Sequence, residues 1–246
     1  MKILGIDVGG SGLKGAPVDT VTGRQLTERH KVEIESPCPP AKAAAAAAEI
    51  ARHFNWKGPI GMGFPGVVCG SKIMATGNLG EDWIGIDGVK VFSKATGCPV
   101  RMVNDADAAG LAEMRFGAGK GHMGSVLMIT AGTGIGSAMF YRGVLFPNTE
   151  FGHIKRKGKS VEKYCAASVR EKKELSWEEW AGRLSTYLQM MEALTWPELI
   201  IIGGGVSGKA EKWQHFIKTR AKLVPAKLGN AAGIIGAALA GEPRPR

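Results

Sequence analysis

The sequence predicts an α/β protein made of two similar halves. Two segments share one plan: a buried strand, a glycine turn and a second strand. In the first, Ile3-Leu4-Gly5-Ile6-Asp7-Val8 runs into Gly9-Gly10-Ser11-Gly12 and then into the strand-like Leu13 to Asp19. In the second, Val126-Leu127-Met128-Ile129-Thr130 runs into Gly132-Thr133-Gly134 and then into Ile135 to Tyr141. Helical patterns fall between and after them, and strands alternating with helices indicate α/β layers. A unit of this size, present twice, is not a solenoid.

The elements follow in order. Pro40 to Phe54, with its alanine run, is a helix by propensity. Asp105 to Phe116 carries apolar residues at 108, 109, 111, 112 and 116, a helical stripe. Ser176 to Leu194 opens on Ser176-Trp177-Glu178-Glu179, the signature of a capping box. Leu199-Ile200-Ile201-Ile202 is a third buried strand and runs into Gly203-Gly204-Gly205. Ala231 to Ala240 is a small-residue helix, and the tail from Glu242 to Arg246 is expected to fray. The expected domains are 1–103 and 104–229, with the helix of 230–246 returning to the first.

Composition excludes several classes. The chain has 246 residues, 44% hydrophobic and 22% charged, so it folds and buries a core without staples. Cys38, Cys69, Cys98 and Cys165 lie far apart with no CxxC pair, which excludes a local zinc ribbon and argues against a disulfide scaffold. No apolar run reaches membrane-spanning length and no leader pattern opens the chain, so no membrane is expected and a reducing cytoplasm is. The outlier is charge: 32 Lys and Arg against 22 Asp and Glu leave +10, which points to a polyanionic partner. Nucleic acid is not favoured, because no helix-turn-helix or RNA-binding motif accompanies the charge.

The glycine clusters fail the common nucleotide signatures. Gly10 to Gly15 spells GxGxxG, but a strand with Pro17 follows where the dinucleotide fold needs a helix. Gly158-Lys159-Ser160 ends like a Walker loop, but position 153 is His. Glycine turns between strands also build anion nests from exposed backbone N–H groups. Two matched hairpins, with Asp7 at one mouth and hydroxyls at Ser11, Thr130 and Thr133, favour phosphate over plain turns. Lys14 has two readings, a solvated lysine or a phosphate contact.

The polar candidates carry alternatives as well. Asn104-Asp105 reads as a helix N-cap or as a carboxylate at the end of a strand, able to take a proton from a hydroxyl. Glu150 and His153, three apart, suit a polyol better than a metal, since no further ligand spacing supports zinc. Asn78, in Thr76-Gly77-Asn78-Leu79-Gly80, is a turn residue or a polyol contact. Two basic stretches, 155–173 and 209–227, are solvated charges or one face for a long anion.

In order along the chain, these segments resemble the ROK group of sugar kinases, and within it the zinc-less branch that uses polyphosphate. The motifs are Asp7 to Gly15, Asn104 to Gly110, Gly132 to Ser137 and Glu150-Phe151-Gly152-His153, narrowed by Gly77 to Gly85, Pro147 to Glu150, Ala167 to Lys172, and Gly203 to Ser207 with Lys209, Ala210, Lys212 and Trp213. The likeness runs from residue 3 to about 240. It implies an actin-like (ribonuclease H-like) sugar kinase fold, two α/β domains around a cleft, in a homodimer. The implied reaction is transfer of a phosphoryl group from inorganic polyphosphate to the 6-hydroxyl of glucose, with Mg²⁺; ATP is a second donor, an ATP-dependent glucokinase is the alternative, and a non-catalytic sugar- or polyanion-binding protein is a distant one.

The resemblance also implies roles. Asp105 corresponds to the catalytic base, and Asn78, Asn104, Glu150, His153 and Glu162 to sugar ligands. Asp7, Gly9, Gly10, Ser11, Gly12 and Lys14 correspond to the first phosphate loop, with Asp7 reaching Mg²⁺ through water. Thr130, Gly132, Thr133 and Gly134 correspond to the second, and Gly203, Gly204 and Gly205 to the stretch facing adenosine. The sequence departs from the wider group in three ways. The zinc motif after Glu-x-Gly-His is reduced to Cys165, the first loop begins too early for a winged helix, and Ala131 stands where a bulky aromatic is usual.

Overall fold

Strand β1 (Lys2–Gly9) turns through Gly10 and Ser11 into β2 (Gly12–Asp19), and the two pair antiparallel from Lys2 opposite Asp19 to Gly9 opposite Gly12. The computed structural model describes residues 1–243, so the expected fraying of the tail falls, from Arg244 on, outside the described residues. Beyond β2 lie β3 (His30–Glu33) and the two-residue strand Arg24–Gln25, both paired with it. On the other side of β1, β4 (Ile60–Phe64) and β5 (Val100–Asn104) add in parallel. Parallel strands need crossovers. Helix α1 (Pro40–His53) leads into β4, and α2 (Gly88–Thr96) leads into β5.

The alanine run makes α1, and its Ala43, Ala47 and Ile50 are fully buried. They pack with Leu4, Ile6, Val8, Leu13, Met62, Phe64, Trp83 and Phe92 in one apolar cluster. Each large side chain removed from water there stabilises the fold by about 1.5–3 kcal/mol. Helix α7 (Ala232–Ala240) approaches β1 and β4 backbone to backbone. A Cβ on Gly5 would overlap the Ile234 carbonyl, and one on Gly61 the Ala237 carbonyl. Gly236 makes the same kind of contact with Ala108 of α3 (Asp105–Phe116). Glycine is required at these points for close approach.

The second sheet repeats the plan. β6 (Ser125–Ala131) and β7 (Ile135–Tyr141) form an antiparallel hairpin, and β8 (Val144–Phe146) adds at its edge. β9 (Leu199–Gly203) and β10 (Lys222–Pro225) add in parallel beyond β6. β9 is buried along its whole length, as expected of a central strand covered on both faces. Short helices α4 (Glu162–Cys165) and α5 (Ala167–Lys172) precede α6 (Trp177–Thr195). Ser176 caps α6: its hydroxyl accepts from the Glu179 N–H at 3.1 Å, and Glu179 Oε2 accepts from the Ser176 N–H at 2.8 Å. Tyr187, Trp180 and Trp213 are fully buried in this core, and their bulk is the main apolar mass behind the second hairpin.

The chain divides into two compact units, Met1–Ala112 with the segment from Ala231 onward, and Glu113–Asn230. The division falls within α3 rather than at the strand end at 103. The first turns of α3 pack Ala108 against Gly236 and Gly63, so they stay with the first sheet. Beyond them, the buried Glu113 carboxylate accepts from the N–H groups of Ala118, Lys227 and Leu228 and ties the end of α3 to the second unit.

Candidate active site

In the first unit the candidate residues gather at the carboxyl ends of β1, β4 and β5. Asp7 lies beside Gly63 in the sheet register, and Gly63 beside Val103. A Cβ built on Gly63 would sit 3.6 Å from Asp105 Cα and 3.9 Å from Asp7 Oδ1, so this glycine keeps the two aspartates close over the sheet end. Gly233, on the first turn of α7, leaves room for the Asp7 carboxyl carbon, which is 2.9 Å from where its Cβ would be. Burial pushes the Asp7 carboxyl above the usual carboxylate range, opposed by the positive charges of Lys14 and Arg29. Lys14 is directly opposite Asp7 across the β1–β2 pair, on the same face.

The turn that joins β1 to β2 presents its amides. Among the described residues, the N–H groups of Gly10 and Ser11 have no protein acceptor. Asn78 lies against this turn, with its Cβ 3.5 Å from the Cβ position of Gly10. Its loop is pinned from several sides: Ser36 Oγ donates to the Asn78 carbonyl, Cys38 N–H to Leu79 O at 2.9 Å, and Gly77 N–H to Pro65 O at 2.8 Å. The Trp83 indole N–H donates to Cys38 O at 2.8 Å beneath it.

The cap reading of Asn104-Asp105 is met at Asn104. Asn104 is buried, and its Oδ1 accepts from the Ala106 and Asp107 N–H groups at 2.8 and 3.1 Å, so it caps α3. Its Nδ2 donates to Gly66 O at 3.1 Å. The second amide N–H of Asn104 has no acceptor among the described residues. Asp105 heads α3, where the helix dipole favours a carboxylate, and its Oδ1 accepts from the Ala106 N–H at 2.8 Å.

In the second unit, Glu150, His153 and Glu162 come together. His153 Nε2 is 3.4 Å from Glu150 Oε2, and His153 Nδ1 is 4.0 Å from Glu162 Oε1. Burial pushes the Glu150 carboxyl up; the His153 charge opposes this, and Glu162 adds to it. Backbone on either side of Glu150 is held by β7. The Ser137 hydroxyl donates to Thr149 O at 2.7 Å and accepts from the Phe151 N–H at 3.1 Å, while the Thr149 hydroxyl donates to Ser137 O at 2.9 Å. Gly152 is needed because a Cβ there would overlap the Ile135 carbonyl. Sequence reasoning assigned no role to Ser137 or Thr149; both lie within quoted motifs, but the pairing of Ser137 on β7 with Thr149 beyond β8 is tertiary.

Glu162 also reaches the second glycine turn, where a Cβ on Gly134 would lie 2.7 Å from its Oε2. Gly203 pairs with Thr130 in the register of β9 and β6. At the next residue, Gly204 has φ +82° and abuts the Ala131 carbonyl. Thus Thr130, Gly132, Thr133, Gly134 and the 203–205 stretch form one neighbourhood. Ala131, which stands where an aromatic is expected before Gly132, is fully buried.

Where the wider resemblance carries a zinc motif, this chain has a two-strand turn, with Lys155 opposite Ser160 and Arg156 opposite Lys159. Cys165 is buried, free, and pushed up to about 12 by burial. Among the described residues, no cluster of three or more His, Cys, Asp or Glu has metal-binding geometry. The cations of 155–173 make no ion pairs among the described residues; Arg156 stacks on Tyr164 and Arg170 on Trp177. No helix among the described residues is long and apolar enough to cross a membrane.

The ROK family model matches residues 3–168. The polyphosphate glucokinase of Mycobacterium tuberculosis (strain H37Rv) is 45% identical over 237 residues, 96% of this chain and 89% of the relative. The inorganic polyphosphate/ATP-glucomannokinase from Arthrobacter sp. strain KM superposes with a TM-score of 0.92 at 40% identity, over 97% of each chain. A ROK family glucokinase from Streptomyces griseus, solved with glucose and AMPPNP, has a TM-score of 0.78 at 24% identity, over 98% of this chain and 99% of that one, a likeness of fold.

Proposed function

The chain belongs to the ROK family, and on that premise we propose that it phosphorylates glucose at the 6-hydroxyl with inorganic polyphosphate as donor. The observation that carries this reading is the contact of Glu162 with the phosphate turn at Gly134, alongside His153 and Glu150. Groups suited to sugar hydroxyls adjoin groups suited to phosphate. The relatives named for this activity cover nearly the whole chain, which supports the substrate pair.

In this mechanism Asn78, Asn104, Glu150, His153 and Glu162 hold glucose. The 6-oxygen attacks the terminal phosphorus as Asp105 takes its proton. A new C–O–P linkage forms, the bridging P–O bond breaks, and its electron pair leaves with the shortened donor. The amides of Gly10 and Ser11, which have no acceptor among the described residues, act with Lys14 and the second turn to stabilise charge on the phosphate oxygens. Positioning and electrostatics supply most of the rate in such transfers.

Mg²⁺ fits this site. It binds through one or two carboxylates, waters and donor phosphates, and the half-buried Asp7 side chain beside the first turn suits that role through water. The ion supplies neutralisation of donor charge. ATP is the second donor in this reading, supported by the Arthrobacter kinase, which is named for both donors. The four free cysteines are consistent with a cytoplasmic enzyme. A homodimer completes the reading, with light scattering as its check.

The test is a donor competition. Polyphosphates of graded length and ATP are supplied at equal glucose, and glucose 6-phosphate is measured. Product from long polyphosphate, exceeding that from ATP, is expected. Absence of product with every donor overturns the reading, and product from ATP alone replaces it with an ATP-dependent glucokinase.

A further inference from the structure

The second glycine turn is held from behind by one residue that sequence reasoning left without a role. Ser168, the second residue of α5, donates its backbone N–H to Gly132 O at 3.0 Å and its hydroxyl to Thr133 O at 2.7 Å. The third carbonyl of the turn, Gly134 O, accepts from the Gly132 N–H at 3.0 Å. All three carbonyls are therefore engaged.

Peptide planarity converts this into a direction. In a trans peptide the C=O of one residue and the N–H of the next point opposite ways. The Gly132 and Thr133 carbonyls both point at Ser168. The N–H groups of Thr133 and Gly134 must then both point away from it. Neither has a protein acceptor among the described residues. Adjacent amides aimed to one side make a concavity for an anion. A Cβ built on Gly132 meets nothing within 4 Å, so the turn is free of side-chain obstruction there.

We propose that Ser168 is a positioning residue for the phosphoryl donor: it locks two carbonyls of the second turn backwards, so that the Thr133 and Gly134 amides face a phosphate. This rests on the donor reading of that turn. Without the hydroxyl, the Thr133–Gly134 peptide loses the one partner it has among the described residues and can rotate, presenting a carbonyl oxygen to the anion. The backbone bond from Ser168 N–H to Gly132 O does not depend on the side chain, so the fold and α5 survive truncation. Among the described residues Ser168 makes no hydrogen bond to Glu150, His153 or Glu162, which separates its effect from acceptor binding.

The experiment compares Ser168→Ala and Ser168→Thr with wild type. Loss of one such hydrogen bond corresponds to a change of about five- to tenfold. The expected result for Ser168→Ala is a donor KM raised by about that factor for both polyphosphate and ATP. The glucose KM stays within about twofold and the melting curve is close to wild type, while Ser168→Thr restores the donor KM. An unchanged donor KM in Ser168→Ala overturns the proposal, as does an equal rise in glucose KM or a loss of folding, which would make the role structural. Calorimetric titration of tripolyphosphate into the same proteins gives a readout independent of turnover. If wild type makes no glucose 6-phosphate yet binds tripolyphosphate more tightly than Ser168→Ala, the functional reading fails and this one stands.

Discussion

The imidazole of His153 lies 3.4 Å from the Glu150 carboxylate, and the burial of that carboxylate raises its affinity for a proton. A neutral carboxyl has less acceptor capacity for sugar hydroxyls than an ionised one. As pH falls, Glu150 protonates before an ordinary glutamate would, so the glucose KM is expected to rise at a higher pH than the usual carboxylate value. In Glu150→Gln the glucose KM is high and this pH dependence is gone. A wild-type profile flat through the weakly acid range would remove Glu150 from the sugar site. The linkage to stability has the opposite sense: a carboxyl whose folded pKa is raised favours the fold most below its unfolded pKa, and that contribution is lost as pH rises through the folded value.

Asp105 can be tested apart from binding. Asparagine keeps the shape and the oxygen that accepts the Ala106 N–H, but it cannot take a proton. Asp105→Asn is expected to lower kcat by about 10²–10⁴-fold, with glucose affinity by calorimetry little changed. Near-normal turnover would refute its role as base.

Asn104 joins a cap to a candidate ligand, so its variants should show two effects. Asn104→Ala loses the acceptor for two N–H groups and the donor to Gly66, costing about 0.5–2 kcal/mol in denaturant unfolding from the cap alone. Asn104→Asp keeps the cap and loses the donor, so it should recover most of the stability but not the glucose affinity. If both variants bind glucose like wild type, Asn104 is a cap and nothing more.

The close seat of α7 on the first sheet predicts intolerance of side chains there. Gly61→Ala and Gly5→Ala each force a methyl into a helix carbonyl. Overpacking of this kind costs about 1–3 kcal/mol, read as a lower denaturation midpoint with an unchanged slope. Tolerance of alanine at both positions would contradict this backbone-to-backbone packing.

The net charge of +10 makes a prediction about salt. If the cations of 155–173 guide a long phosphate chain, added salt should weaken use of long polyphosphate more than use of ATP. Equal salt sensitivity of the two donors would leave that charge without a part in donor binding.

Local chemistry carried much of this protein into view from its sequence alone. Two strand–turn–strand segments, the alanine run of α1, the Ser176–Glu179 capping box and the apolar β9 depend on neighbours in the chain, so they are legible from spacing. The candidate residues were named through ordered motifs for the same reason. The tertiary structure decided what those residues do for one another. Asn104 is a cap because α3 begins at the next residue, and the chain divides within α3 because Gly236 receives Ala108 while Glu113 ties the helix end to 227–228. Glu150 meets Glu162 through His153, and Ser168 orients the turn at Gly132–Gly134, across stretches of chain that no local pattern connects. Hydrogen bonds and close backbone contacts between distant segments exist only once the sheets have formed, and they convert a list of polar residues into a directed site.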